Sequence, residues 1–83
     1  MATRTVLALL DVGALEVTNP QLDTKYVKDL AAGLQDGSVT QEELGRVYVR
    51  CMPDGYKVND GNHRVTALKE AGVKSVLADV YRI

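Results

Sequence analysis

An 83-residue chain with neither phenylalanine nor tryptophan has to build its interior from aliphatic side chains. Its aromatic residues are four tyrosines, 5% of the sequence, against 46% hydrophobic residues in all. Chains usually divide into units of roughly 100 to 200 residues, so one domain is expected over residues 1–83. The hydrophobic share and the 25% of charged residues match a globular protein and argue against intrinsic disorder. At this size a core supplies only ~3–5 kcal/mol. A ligand, a protein partner or a homodimer is therefore expected to add stability.

Ten Lys plus Arg against eleven Asp plus Glu leave a net charge of −1, which gives no global field for attracting nucleic acid or an anionic membrane. Any basic site must be local. The single cysteine, Cys51, has no intrachain disulfide partner, and one histidine and one cysteine are too few for a zinc site. Cys51 reads as a small buried hydrophobe. Asp11 interrupts the apolar run Val6–Leu10, no small-residue cleavage pattern follows, and no stretch approaches the ~20 apolar residues of a membrane span. These features predict a cytoplasmic protein without a targeting segment or membrane contact.

Along the chain, Thr3–Leu10 reads as a buried strand, and Gly13 to Thr24 as a connector in which Pro20 keeps Asn19 out of the helical region. Thr24 is the expected cap of a helix whose buried face is Val27, Leu30, Ala31 and Leu34 and which stops at Gly37. Thr40 with Glu43 forms a capping-box pattern for one further turn, ended by Gly45. From Arg46 to Met52 the residues alternate, with Val47, Val49 and Cys51 on one face and Tyr48, Arg50 and Met52 on the other. Pro53-Asp54-Gly55 turns this strand into a second arm, Tyr56–Asn59. Tyr48 and Tyr56 are expected to pair across that hairpin. Arg46, Arg50 and Lys57 form a basic stripe read as a solvated face. Val65, Leu68 and Ala71 mark a second helix that ends at Gly72, and Ser75–Ile83 a last strand. The order predicts an α+β domain: a small mixed β-sheet with two main helices that cover it.

The chemistry concentrates in Asn59–Arg64, between a hydrophobic strand and an amphipathic helix. Gly61 allows close approach of the backbone, a helix start offers unpaired N–H groups and the positive end of a dipole, and His63 and Arg64 add donors. The fitting ligand is an anion, for which Arg64 supplies a planar fork and His63 a further donor or a proton shuttle. The phosphate-binding candidates are therefore Gly61, Asn62, His63 and Arg64. A plain turn, with Asp60 or Asn62 capping the helix, is the competing explanation.

The run VNDGNHRVTALKEAGVKSV (Val58–Val76) resembles the signature of the ParB/sulfiredoxin superfamily. In that signature a strand leads through a Gly-x-(His or Arg)-Arg turn into a helix ending at glycine and then a further strand. The first helix, Tyr26–Ala31, extends the resemblance over nearly the whole chain and implies a ParB/sulfiredoxin-like fold. Matching members hold nucleotide phosphates with the turn, which implies ATP or CTP as a cofactor at Gly61, His63 and Arg64. Sulfiredoxins place a nucleophilic cysteine where this chain has Asn62, so sulfinic-acid reduction is not implied. Their nucleotide-binding Lys, Ser and Thr of the first helix correspond to Tyr26, Asp29 and Gly33 here, with Lys25 or Lys28 as substitutes.

Partition-type ParB proteins bind CTP and carry a helix-turn-helix region, which this sequence does not show up to Ile83. Sequence-specific DNA reading by this chain alone is not expected. Free serine kinases of the superfamily resemble the Asp60–Arg64 turn and use a Glu near the start of the domain as base, for which Glu16 is the nearest candidate. Two functions follow as expectations. One is a nucleotide- or nucleic-acid-phosphate-binding domain, with phosphoester hydrolysis, as a nuclease or NTPase, assigned to His63 and Glu16 and loose Mg²⁺ to Asp60 with Asp11 or Glu16. The other is a non-enzymatic adaptor of phage or plasmid type that binds a protein.

Overall fold

The alternating segment after Gly45 forms the centre of the molecule, because a strand with one apolar face buries that face and finds hydrogen-bond partners on both edges. The computed structural model describes residues 5–19 and 21–82. Thr3 and Ile83, at the ends of two expected strands, and Pro20 lie outside them. Five strands, β1 (Thr5–Asp11), β2 (Leu15–Glu16), β3 (Val47–Met52), β4 (Gly55–Asp60) and β5 (Ser75–Arg82), form one sheet in the order β1-β5-β3-β4-β2. β1 with β5 and β3 with β4 are antiparallel, whereas β3 with β5 and β2 with β4 are parallel. The helices are α1 (Thr24–Asp36), α2 (Gln41–Leu44) and α3 (Asn62–Glu70), and a 3-10 turn covers Val12–Ala14. The architecture is the α+β mixed sheet with two main helices, α1 and α3, that the element order implies.

The hairpin register puts Val49 opposite Val58 and Cys51 opposite Tyr56. With Val47, Val76, Ala78 and Val80 they meet Val65 and Leu68 of α3 in an aliphatic core that Val12 and Leu15 complete. Burying one Val or Leu side chain contributes about 1.5–3 kcal/mol, so the aliphatic residues carry the fold, with the Tyr56 ring packed at the margin of the core. Val27 and Ala31 of α1 pack on Ala67 of α3 in a second cluster, with Leu30 and Leu34 at its margin. Two longer reaches close the structure: Val12 N donates to Lys74 O at 2.8 Å, and Lys69 Nζ to Leu15 O at 2.6 Å.

Five sequence expectations change. The first strand is not buried: β1 lies at an end of the strand order, and Thr5, Val6, Leu7, Leu9 and Asp11 are exposed because, among the described residues, only one long side of the strand is paired. The connector after Gly13 contains the short strand β2, which two residues of sequence could not announce. α1 packs chiefly on α3, so the helices do not cover both faces, and Leu7, Leu9, Tyr48 and Leu77 stand exposed on the opposite face of the sheet. Tyr48 lies on that open face, across from Asp79, while Tyr56 lies opposite Cys51 on the core side; the two tyrosines do not pair. α1 is capped by Asp23, whose Oδ1 accepts from Tyr26 N at 3.2 Å, and Thr24 is the first helical residue. At Thr40 half of the capping box forms: Oγ1 accepts from Glu43 N at 3.2 Å and donates to Glu43 Oε1 at 3.1 Å. Among the described residues no helix is long and apolar enough to cross a membrane.

The reassigned cap has a direct test. Asp23→Ala should lower unfolding stability by about 1 kcal/mol, whereas Thr24→Ala should change it by less than about 0.5 kcal/mol. Urea denaturation of both variants measures the difference, and a larger loss at Thr24 would contradict the assignment.

Candidate functional site

β4 ends at Asp60, and the chain turns into α3 through one residue, Gly61, at φ 102° and ψ 25°. That left-handed conformation strains any L side chain, and a Cβ there would lie 2.9 Å from Val47 Cγ1. Glycine is thus required twice, by the turn and by its close packing on β3. Neither Asp60 nor Asn62 caps the helix, as the competing explanation required: Gly61 occupies the cap position, and among the described residues no side chain caps the first-turn N–H groups. The first bond back along the helix is from Val65 N to Gly61 O, at 2.9 Å. The N–H groups of Asn62, His63 and Arg64 thus precede the intrahelical ladder at the positive end of the dipole.

This turn lines a polar pocket of about 360 Å³, formed by Asn59–Arg64 together with Asn19 and Tyr26. Each candidate side chain also has a fixed structural contact. Asn62 Oδ1 accepts from Thr18 N at 2.9 Å and Asn19 N at 3.4 Å, and Thr18 Oγ1 donates to Val58 O at 2.7 Å. The linker is thereby laid along the start of α3. His63 Nε2 accepts from Asp23 N at 3.0 Å, so this nitrogen carries the lone pair and the ring proton sits on Nδ1. The imidazole meets the Tyr26 ring edge to face, with centroids 5.6 Å apart. Arg64 Nη1 donates to Arg46 O at 2.9 Å. Arg46 is in turn held by Asp79, Nε to Oδ2 at 3.3 Å, where Asp79 is the buried charged residue of the sheet.

The other named residues lie elsewhere. Glu16, on β2, is ion-paired with Lys57, which also lies 3.4 Å from Asp54. The hydrogen bond to Glu16 is the main influence raising the Lys57 ammonium above its ordinary pKa. Asp11 Oδ1 accepts from Gly13 N at 3.1 Å. Neither Glu16 nor Asp11 lines the pocket, and among the described residues no group of three or more His, Cys, Asp or Glu side chains is placed to hold a metal ion. Of the α1 positions singled out in the sequence, Tyr26 lines the pocket, while Lys25, Lys28, Asp29 and Gly33 do not. Gly33 has a packing reason of its own, since a Cβ there would lie 2.6 Å from Val39 Cγ2. The basic stripe is largely neutralised, Arg46 by Asp79 and Lys57 by Glu16 and Asp54.

Sequence reasoning missed Thr18, Asp23, Arg46 and Asp79, the groups that hold the pocket's walls. Nothing local marks them, because each acts on a residue far away in the chain.

The sequence matches no protein-family model and no curated protein. Solved structures do match. C-terminally truncated chromosome-partitioning protein ParB from Caulobacter crescentus, complexed with CTP-gamma-S, superposes with a TM-score of 0.72 at 20% identity, over 94% of this chain and 45% of that one. Sulfiredoxin from Arabidopsis thaliana superposes with a TM-score of 0.69 at 15% identity, over 94% of this chain and 86% of that one. This chain thus spans less than half the length of the ParB structure. The strand order, the Gly61 turn into α3 and these two superpositions lead to one conclusion: the chain has a ParB/sulfiredoxin-like fold.

Proposed function

We propose that the pocket at the start of α3 binds the phosphate groups of a nucleotide. The observation that carries this reading is the uncapped first turn of α3: N–H groups that no side chain among the described residues caps, at the positive end of a dipole, with Arg64 beside them. Arg64 spends one of its five N–H donors on Arg46 O, which fixes the guanidinium at the pocket while leaving donors for a phosphate. The CTP analogue held by the ParB structure supports a nucleotide over a bare anion, with ATP and CTP as the ligands to compare.

Asp60 is the one carboxylate among the pocket's lining residues and opposes a free phosphate. Mg²⁺ is usually bound through one or two carboxylates together with the substrate phosphates. Asp60 fits that role, and Mg²⁺ bound there would reverse the sign of its contribution. Asn62 acts as a brace whose side-chain oxygen is committed to the linker, and its backbone N–H is the group it offers a ligand.

Binding is better supported than turnover. The His63 Nε2 lone pair is taken up by Asp23 N, and Glu16 is engaged by Lys57 away from the pocket, so neither is poised as a base toward a ligand. Hydrolysis by His63 would require release from Asp23. A second reading, an adaptor that binds a protein, is favoured by the apolar face at Leu7, Leu9, Tyr48 and Leu77 and needs no nucleotide.

Two outcomes are expected. Arg64→Ala should weaken Mg²⁺–CTP or Mg²⁺–ATP binding by about 1.5–3 kcal/mol, the worth of a hydrogen bond to a charged group, as read by calorimetry; unchanged affinity would remove the site. His63→Ala should lower stability by about 0.5–1.5 kcal/mol through loss of the bond from Asp23 and release no less phosphate than the wild type. Wild-type turnover that His63→Ala abolishes would replace binding with catalysis.

A further inference from the structure

β1 is an edge strand with an unusual surface. Among the described residues it pairs with β5 alone, in a seven-residue register without a shift, and its outer row of backbone N–H and C=O groups has no strand partner among them. Natural edges are blunted by lysine, proline, bulges or a covering element. Thr5–Leu10 contains no charge and no proline, and Asp11 is the first charged residue of the strand. Side chains are exposed on both sides of it: Val6 at 64% on the core side, Leu7 at 50% and Leu9 at 67% on the open face. Leu9 lies directly opposite Leu77, itself exposed, so the apolar stripe is two strands wide and ends at the edge.

We propose that this edge pairs with the same edge of a second copy, forming a two-fold dimer in which the two sheets join antiparallel at β1. The occupant follows from the strand's own sequence. Thr-Val-Leu-Ala-Leu-Leu-Asp is nearly palindromic in character about Ala8. An antiparallel pairing centred on Ala8 puts Leu7 opposite Leu9 of the second copy, Val6 opposite Leu10, and Thr5 opposite Asp11. Opposed residues share a face in such a pair, so every apolar side chain meets an apolar one and no two like charges meet. The smallest apolar side chain lies on the two-fold axis.

On the open face Leu7, Leu9 and Leu77 of both copies merge into one patch, and the unpaired backbone rows satisfy each other. A sheet of five strands becomes one of ten. This joint also answers the small size of the core, because it adds buried apolar area without new residues. The pocket lies beside β4, beyond β5 and β3 from this edge, so dimer formation leaves it open and the proposal stands independently of nucleotide binding.

Sedimentation equilibrium of the full chain should give twice the mass of one chain. Leu9→Lys, an exposed position where the fold tolerates lysine, should raise the dimer dissociation constant at least about tenfold by placing a charge at the edge, with an unchanged circular dichroism spectrum. A second measurement does not depend on weakening the interface. Paired residues in antiparallel strands have Cα atoms about 4.5–5.5 Å apart, within the range of about 4.4–6.8 Å that a disulfide bridges. In a Cys51→Ala background, Ala8→Cys should therefore oxidise to a covalent dimer, while Lys25→Cys should not. A monomer at all concentrations, or a dimer that Leu9→Lys leaves intact and Ala8→Cys fails to cross-link, would overturn the proposal.

Discussion

The hydrogen bonds at the start of α3 bring together parts of the chain forty or more residues apart. Asn62 holds the backbone of Thr18 and Asn19, and His63 holds that of Asp23, the cap of α1. Without these contacts α1 would keep only its apolar packing on α3, and the linker would keep only the bond from Thr18 Oγ1 to Val58 O on the sheet edge. The same few residues also form the pocket. Fold closure and the candidate site are therefore one structure, and a substitution at Asn62 or His63 acts on both.

Gly61 sets the geometry of this junction. Its positive φ lets β4 pass into a helix without an intervening loop, and its missing side chain lets the turn rest on Val47. The cap position is consequently filled by a residue without a side chain to bond the helix. Glycine in place of a capping side chain costs only about a few tenths of a kcal/mol, and the uncapped turn keeps its N–H groups open to a ligand. Arg64 offsets the loss by bonding Arg46 O, an anchor reinforced by the buried Asp79. A cation near a helix start is locally unfavourable, and a bound phosphate would reverse the sign of that interaction.

Much of the architecture was legible in local patterns. The alternation of Val47 to Met52, the Pro53-Asp54-Gly55 turn and the apolar stripe of Val65 and Leu68 each specify an element within a few residues, and the structure contains all three. The ParB/sulfiredoxin-like likeness rested on the same stretch. What escaped was non-local. β2 is two residues long and exists because β4 offers it an edge. The cap of α1 fell to Asp23, and Thr24 was the nearer misreading, because either residue type suits the role. His63 looked like a donor toward an anion, but its acceptor nitrogen is claimed by a backbone N–H forty positions upstream. Glu16 had the right charge in the right region of the sequence, and cross-strand pairing gave it to Lys57 instead.

The central claim is that the open first turn of α3 is a phosphate site. Amide-resolved NMR titration of the wild-type chain with Mg²⁺–CTP and Mg²⁺–ATP tests it most directly, because the N–H groups assigned to the ligand are themselves the probes. Saturable shifts concentrated at Gly61, Asn62, His63 and Arg64, with smaller ones at Asn19 and Tyr26, are the result predicted. Shifts confined to β1 and the open sheet face, or none at millimolar nucleotide, would contradict it.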